Sequence, residues 1–209
     1  MLASIITLLA LVTTAISILL EARQGTALDL SEVYMRNITY GGSGCPQGSV
    51  GQFLSDDRDT FTLIFDSFQA QTGPGTTPDE SRRYCQINLD LNYPQGFQYS
   101  VFQTTFRGYT YLDPAVTARE SALYYFSGPN QQQVTTSTTF HGPVNENYVI
   151  NSAVAFTSLV WSPCGAHWPL NLGTQVTLTS TNSSQSGLMT DDTIDGSIKY
   201  ITGIQWQRC

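Results

Sequence analysis

Residues 84–92, which read YCQINLDLN, alternate apolar and polar side chains without a break. The apolar set is Cys85, Ile87, Leu89 and Leu91, and the polar set is Gln86, Asn88, Asp90 and Asn92. Because successive side chains of a β-strand point to opposite faces, this period of two predicts a strand with one buried face and one wet face. The same alternation recurs at residues 61–65 and 97–101. We therefore predict a chain built almost wholly from strands.

Turn signals separate the segments that alternate. They include Gly73-Pro74-Gly75, Asp113-Pro114, Gly142-Pro143 and Asp195-Gly196. Further strands are predicted at residues 106–112, 121–126, 134–140, 149–161, 175–180 and 198–206, and single helical turns at 79–82 and 114–119.

About ten short strands with a turn every ten to fifteen residues or so predict an all-β fold, an antiparallel, jelly-roll-like β-sandwich with little helix. We expect its core to contain Phe61, Leu63, Phe65, Ile87, Leu89, Leu91 and Val101.

The amino-terminal segment is typical of a targeting sequence. Residues 2–20 are mostly apolar and carry no charged side chain. This predicts a signal peptide over residues 1–22, with cleavage between residues 17 and 27, and a single secreted domain over residues 28–209. The apolar run is close to the length that spans a bilayer, so an uncleaved anchor stays open, and a membrane is a partner only in that case. Both alternatives export the rest of the chain, and we predict an extracellular protein.

The charge balance excludes two classes of partner. Nine Lys and Arg face sixteen Asp and Glu, which gives a net charge of −7. Such a chain is not expected to bind nucleic acid or anionic membrane surfaces. Only 12% of the residues are charged, so Ser, Thr, Asn, Gln and Gly must form most of the surface. That composition favours an extracellular β-protein.

Four cysteines, an even number in an exported chain, predict two disulfides. Three pairings are possible, and we favour Cys45–Cys85 with Cys164–Cys209 because each joins neighbours in sequence order. No two cysteines are close enough in sequence for a zinc motif. Two sequons predict a glycoprotein modified at Asn182 and Asn37.

Cys45 lies in residues 40–50, which read YGGSGCPQGSV. Four glycines and a proline exclude a regular strand or helix there, while the glycines permit positive φ and close approach of other groups. A disulfide from Cys45 would pin this loop as a corner of the sandwich. Phosphate binding is disfavoured, because the loop contains no lysine and no predicted helix follows it.

Five segments together resemble one protein family. They are YGGSGCPQGSV at 40–50, DDRDTFTLIFDSFQA at 56–70, ESRRYCQINLDLNYPQGFQYSVF at 80–102, TSLVWSPCGA at 157–166 and WQRC at 206–209. The family consists of small secreted proteins of filamentous fungi and some bacteria, known as domain of unknown function 4360. The resemblance implies a secreted, disulfide-bonded domain over most of the chain. It implies no activity and no catalytic or binding residue.

Two groups of residues are candidates for ligand contacts. Asp56, Asp57 and Asp59 could hold calcium through carboxylate oxygens, and the alternative is a hairpin turn in which aspartates bind backbone amides. Apart from calcium, no cofactor is expected. Trp168, Tyr109 and Tyr111 are the aromatic side chains that we expect to face a ligand, because exposed rings with polar neighbours suit sugar faces. His141 and His167 are interpreted as solvent-facing loop residues.

The sequence contains no GxSxG and no recognisable pairing of a nucleophile with a base, which favours a protein that is not an enzyme. We predict a non-catalytic binding or surface-interaction protein whose partner is a cell-wall glycan or a host protein. One alternative is a polysaccharide hydrolase that uses carboxylates from residues 56–59 or 191–195. Another is a structural protein of a cell wall or coat.

Overall fold

The computed structural model of the protein describes residues 28–128, 132–155, 159–164, 167–191 and 200–209. Twelve strands lie within these ranges: β1 (Tyr34–Gly41), β2 (Val50–Leu54), β3 (Thr60–Phe65), β4 (Gln69–Thr72), β5 (Arg82–Asn92), β6 (Phe97–Leu112), β7 (Val116–Phe126), β8 (Gln133–His141), β9 (Val144–Ala153), β10 (Leu170–Ser180), β11 (Gly187–Thr190) and β12 (Tyr200–Arg208). Two 3₁₀-helices span Leu30–Glu32 and Pro78–Ser81. No helix of the described ranges has the length and apolar character of a membrane span.

The strands form two antiparallel sheets. The five-stranded sheet has the order β1-β5-β10-β7-β8. The second sheet has the order β2-β3-β12-β6-β11-β4, and β9 pairs with the other edge of β6. With 16 residues, β6 is long enough to pair with β12 through its first part and with β11 through its last. The predicted all-β antiparallel sandwich is confirmed.

The alternation that predicted β5 also decides which of its faces is buried. Cys85, Ile87, Leu89 and Leu91 are at most 1% exposed, and the polar residues between them point outward. The seven predicted core residues are all buried, and the least buried, Val101, is 5% exposed. Fully burying one such aliphatic or aromatic side chain is worth about 1.5–3 kcal/mol. Burial between the sheets is therefore the main source of stability.

Three local predictions need correction. Residues 114–119 do not form a helical turn. A hydrogen bond of 3.1 Å from Val116 N–H to Asp113 O closes a tight turn, and β7 begins directly at Val116. The buried face that alternates from Val116 onward outweighs the weak helical signal of residues 114–119. Segments 97–101 and 106–112 are parts of one strand, β6. A bulge in β6 opposite Gly203 and Ile204 of β12 adds one residue, and this changes which of the alternating side chains are buried. The predicted strand 149–161 is β9, which ends at Ala153.

The loop at residues 40–50 is a corner fixed to β5. Cys45 bonds to Cys85, and Gly44 N–H donates to Tyr84 O over 2.9 Å. Gly42 has a φ of 153°, and a Cβ there would collide with the Tyr84 carbonyl oxygen. Gly48 also has a positive φ, of 87°, so close approach and unusual backbone conformation account for glycines 42, 44 and 48 of this loop, while nothing in the structure requires a glycine at 41.

The second disulfide joins Cys164 to Cys209 and ties the carboxyl-terminal strand to residues 159–164. Next to it, a cluster of rings fills one end of the sandwich. Tyr93 lies at the centre of this cluster, with ring centroids 5.3 Å from Tyr99, 6.0 Å from Trp206 and 5.0 Å from His167. His167 is therefore half-buried and packed against the ring of Tyr93, and the prediction that it faces solvent is wrong.

Candidate ligand-binding groove

A groove of about 220 Å³ crosses the outer face of the five-stranded sheet. Four neighbouring strands line it with the outward members of their alternating patterns. The residues are Arg82, Tyr84 and Gln86 from β5, Gly173 and Gln175 from β10, Ser121 and Leu123 from β7, and Thr135 from β8.

Gly173 forms the floor of this groove. It pairs with Gln86 on one side and with Leu123 on the other, so the two side chains flank a position that has none. A Cβ at Gly173 would lie 3.5 Å from Gln86 Oε1 and 3.6 Å from Leu123 Cβ, which is ordinary van der Waals contact. Gly173 therefore leaves open a space that an alanine could occupy, and this space deepens the groove between Gln86 and Leu123.

One end of the groove presents an aromatic ring among polar groups. Tyr84 is 48% exposed, and the Arg82 guanidinium carbon lies 5.9 Å from the centre of its ring. Arg82 Nε donates to Gln175 Oε1 over 2.9 Å, and Gln175 Nε2 donates to Thr177 Oγ1 over 3.0 Å. This chain of hydrogen bonds orients the guanidinium along the outer surface. The surface therefore offers a ring face together with hydrogen-bond donors and acceptors.

The groove continues past Tyr84 towards the corner loop. A second depression is lined by Ser43, Pro78, Asp79, Arg82, Arg83 and Tyr84, so Arg82 and Tyr84 border both. Arg83 is engaged with backbone, since its Nε donates to Gln69 O over 2.9 Å and its Nη1 to Asp79 O over 3.0 Å. Ser43 Oγ accepts from Tyr84 N–H over 3.3 Å, which brings the corner loop to the end of the groove.

The aromatic residues predicted from the sequence lie elsewhere. Tyr109 and Tyr111 lie on β6, in the other sheet, where Tyr109 Oη donates to Asn145 Oδ1 over 2.8 Å and Tyr111 Oη donates to Asp113 Oδ1 over 2.6 Å. The second bond raises the pKa of Tyr111 and lowers the pKa of Asp113. Trp168 is half-buried with its ring against Gly128. The structure does not gather these three rings into one surface.

The acidic turn at residues 55–59 joins β2 to β3. The Asp57 carboxylate accepts hydrogen bonds from the Ser55 hydroxyl and from Asp59 N–H, and both lower the pKa of Asp57. This is the amide-binding turn that the sequence offered as the alternative to calcium. Across the described ranges, no three His, Cys, Asp or Glu side chains converge as a metal site requires, and Asp56, Asp57 and Asp59 are included in that statement. Nothing in this geometry supports the calcium prediction.

The other predicted acidic segment, residues 191–195, lies mostly outside the described residues, but Asp191 is described and is 2% exposed. Its carboxylate accepts from Tyr148 Oη over 2.6 Å. A second buried carboxylate, Glu120 on β7, is 1% exposed and accepts from Thr174 Oγ1 over 2.8 Å. Burial, and after it the charge of Asp191, raises the pKa of Glu120 well above its ordinary value. These acids lie between the sheets, where a polymer chain cannot reach them.

Both sequons are on the surface. Asn37 is exposed and lies in the edge strand β1, and Asn182 is exposed in the turn after β10. Asn182 Oδ1 accepts from Ser184 N–H over 3.0 Å. Either position is accessible to a glycosyltransferase, and modification at both stays a prediction.

Sequence reasoning missed the groove and Glu120. The groove residues are separated by up to about ninety positions in the chain and become neighbours only through the pairing of β5, β10, β7 and β8. Glu120 carried one usable signal: it is an acid on the apolar side of an alternating strand, between Ala118 and Ala122.

Comparison with known proteins gives one curated relative and several solved structures. The chain is 46% identical over 185 residues to an "Uncharacterized secreted protein" of Arthroderma benhamiae, which covers 88% of this chain and 75% of that protein. Solved structures with some likeness include a carbohydrate-binding module in complex with β-1,4-galactotriose (10% identity, 83% and 90% of the two chains, TM-score 0.26) and a mannan-recognising module (6% identity, 83% and 90%, TM-score 0.27). TM-scores this low carry no argument about the ligand of this chain.

The relative is a secreted protein, and disulfides such as the two found here are typical of extracellular proteins. The protein is therefore extracellular. The model of one protein family matches residues 31–209, which is nearly all of the chain after the predicted leader. The chain belongs to that family, which is described as Domain of unknown function (DUF4360).

Proposed function

We propose that this secreted protein binds a polysaccharide chain, without catalysis, in the groove on the outer face of the five-stranded sheet. The observation that carries the proposal is the exposed ring of Tyr84 beside the hydrogen-bonding side chains of Arg82, Gln86 and Gln175. A sugar ring has an apolar face of C–H groups and a rim of hydroxyls. A binding surface for it therefore needs an apolar plate and a few placed polar groups.

The shape of the groove fits a chain better than a single sugar. It crosses four strands from Thr135 on β8 to Arg82 on β5, which is about 14 Å at the usual spacing of paired strands. It stays open at the end that leads to Ser43. A polymer that lies across the strands can therefore continue past Tyr84 towards Ser43.

The lining favours recognition over hydrolysis. Glycosidases generally use two carboxylates that flank the scissile bond. The described residues that line the groove are amides, hydroxyls, apolar groups and one guanidinium, and they include neither Asp nor Glu. This lining supports a binding protein rather than the polysaccharide hydrolase that the sequence left open.

The test is a pull-down of the purified secreted protein with a panel of insoluble cell-wall polysaccharides, followed by affinity electrophoresis with the soluble forms. Tyr84→Ala removes the exposed ring, and Tyr34→Ala is the matched control because Tyr34 is 50% exposed on β1 and does not line the groove. We expect Tyr84→Ala to raise the Kd about tenfold, or about 1.4 kcal/mol, the scale of one anchoring aromatic residue.

Binding that Tyr34→Ala weakens as much as Tyr84→Ala would place the site elsewhere. Retention of the protein by none of the polysaccharides would overturn the proposal and leave a host protein as the next partner to test.

A further inference from the structure

A row of side chains that runs beside the groove carries two positive charges, and of the two only Arg82 also lines the groove. Arg82 on β5 and Arg119 on β7 both pair with Thr177 on β10, one from each side, so all three side chains point to the same outer face. Their Cα atoms are two strand spacings apart, or about 10 Å. Both arginines are exposed. They account for two of only nine basic residues in a chain of net charge −7.

Neither guanidinium is neutralised by a carboxylate within the described part of the chain. Arg82 donates to Gln175, and Arg119 Nη2 donates to Ser137 Oγ over 3.1 Å. The ion pair found among the described residues joins Arg36 to Asp90 over 3.6 Å, at the far end of β5. Each neutral partner occupies one N–H of a group that has five. The remaining donors of Arg82 and Arg119 are available to a ligand.

Two acidic side chains, Glu80 and Asp79, lie near these arginines, and the Glu80 carboxylate has partners of its own. The Glu80 carboxylate accepts from Thr77 N–H over 2.7 Å and from Gln71 Nε2 over 2.8 Å. Asp79 borders the depression beyond Tyr84, in the 3₁₀-helix that precedes β5. The acids therefore belong to the rim formed by that helix, and the two arginines belong to the sheet face itself.

We infer that the groove and the arginine row beside it select an acidic polysaccharide, one with carboxylates on its sugar rings, and that Arg82 and Arg119 bind two of those carboxylates along one chain. This inference rests on the proposed function of the groove. A guanidinium fork matches a carboxylate through two parallel hydrogen bonds, which a neutral hydroxyl cannot reproduce. Two guanidinium forks on strands separated by β10, with Cα atoms about 10 Å apart, fit a polymer with repeated charges better than a molecule with one.

The experiment compares two polymers that differ only in charge. Affinity electrophoresis and titration calorimetry measure the binding of the full secreted chain to polygalacturonate and to the same polymer with its carboxyl groups reduced to alcohols. We expect polygalacturonate to bind about tenfold more tightly or better, as charged hydrogen bonds imply. We also expect added salt to weaken only that binding.

Three variants locate the preference. Arg82→Gln with Arg119→Gln should abolish the difference between the polymers, while each single change should reduce it. Arg107→Gln is the matched control, because Arg107 is exposed on β6 in the other sheet. Each variant is first checked for an unchanged melting temperature, which surface substitutions generally preserve.

The outcomes separate the two proposals. If the charged and the reduced polymer bind equally well, and Tyr84→Ala weakens the binding of both, the inference about charge is overturned and polysaccharide binding in the groove still stands. An equal loss of preference in Arg107→Gln would also contradict the inference, because it would show an effect of overall charge. If the protein binds neither polymer and no other polysaccharide of the panel, both proposals are contradicted.

Discussion

Replacing Glu120 by glutamine should make the protein more stable at neutral pH. Glu120 lies between the two sheets, 1% exposed, with Thr174 as its hydrogen-bond donor and Asp191 as the neighbouring charge. Within the described residues its Oε2 has no hydrogen-bond partner. Glutamine has nearly the same shape and keeps an oxygen for the Thr174 hydroxyl. The substitution removes a charge that burial and Asp191 both disfavour.

The direction of the pKa change determines the pH dependence. Burial raises the pKa of Glu120 above its ordinary value of 4.5, and the charge of Asp191 adds to the increase. The folded protein therefore binds this proton more tightly than the unfolded chain does. The protonated Glu120 therefore contributes its full stabilisation of the fold below the pKa that this residue has in the unfolded chain. This contribution is lost as pH rises through the higher pKa that Glu120 has in the folded protein. Within that window the free energy of unfolding falls by up to about 1.4 kcal/mol per pH unit for one proton.

The assay is urea unfolding of wild type and Glu120→Gln from pH 4 to pH 8, a range of about four units that extends above the ordinary carboxyl pKa. We expect similar stability at the acidic end, a growing advantage for the variant as pH rises, and a smaller pH slope in the variant. Glu146→Gln, which removes an exposed carboxylate from β9, controls for the loss of one negative charge. A variant that is less stable than wild type at pH 7 and keeps the full slope would refute the reasoning.

Three further predictions concern the corner loop and the surface. Cys45→Ser removes the bond that closes a separation of 40 residues, and urea unfolding should show a loss of about 4 kcal/mol in the chain-entropy picture; an unchanged midpoint would contradict this role. Gly44→Ala should cost about 1–3 kcal/mol because its Cβ would lie 2.6 Å from the Phe68 ring, and Gly41→Ala, with nothing within 4 Å, should stay near wild type in thermal melts; equal melting temperatures would refute the packing argument. Asn182→Gln should remove a glycan mass from protein secreted by a eukaryotic host, and an identical mass before and after glycosidase treatment of wild type would rule out glycosylation.

The sequence predicted the parts of the fold that a period of two controls. β3, β5 and β8 were found from their own residues because each buries alternate side chains. β4 and β11 were missed, since four residues such as Gln69–Thr72 and Gly187–Thr190 are too short to show a period. These two strands pair with each other and with neighbours that are distant in the chain, so tertiary contacts define them.

The candidate groove could not be predicted for a related reason. Alternation shows that Tyr84 and Gln86 point outward, but it does not show which strand lies beside them. Gly173 has no side chain and gives no signal in an alternating pattern, although it forms the floor. The three aromatic residues chosen from the sequence were chosen for local context, and local context carries no information about which surface is concave.

The alternation of β5 also has a consequence for how such a protein can change over evolutionary time. Odd-numbered positions such as 85, 87 and 89 hold the core together, and even-numbered positions 82, 84 and 86 face the candidate groove. Substitutions on the outer positions can therefore accumulate without disturbing the packing of the inner ones. One scaffold can in this way be adapted to new ligands, with specificity and stability inherited as nearly independent traits carried by neighbouring codons.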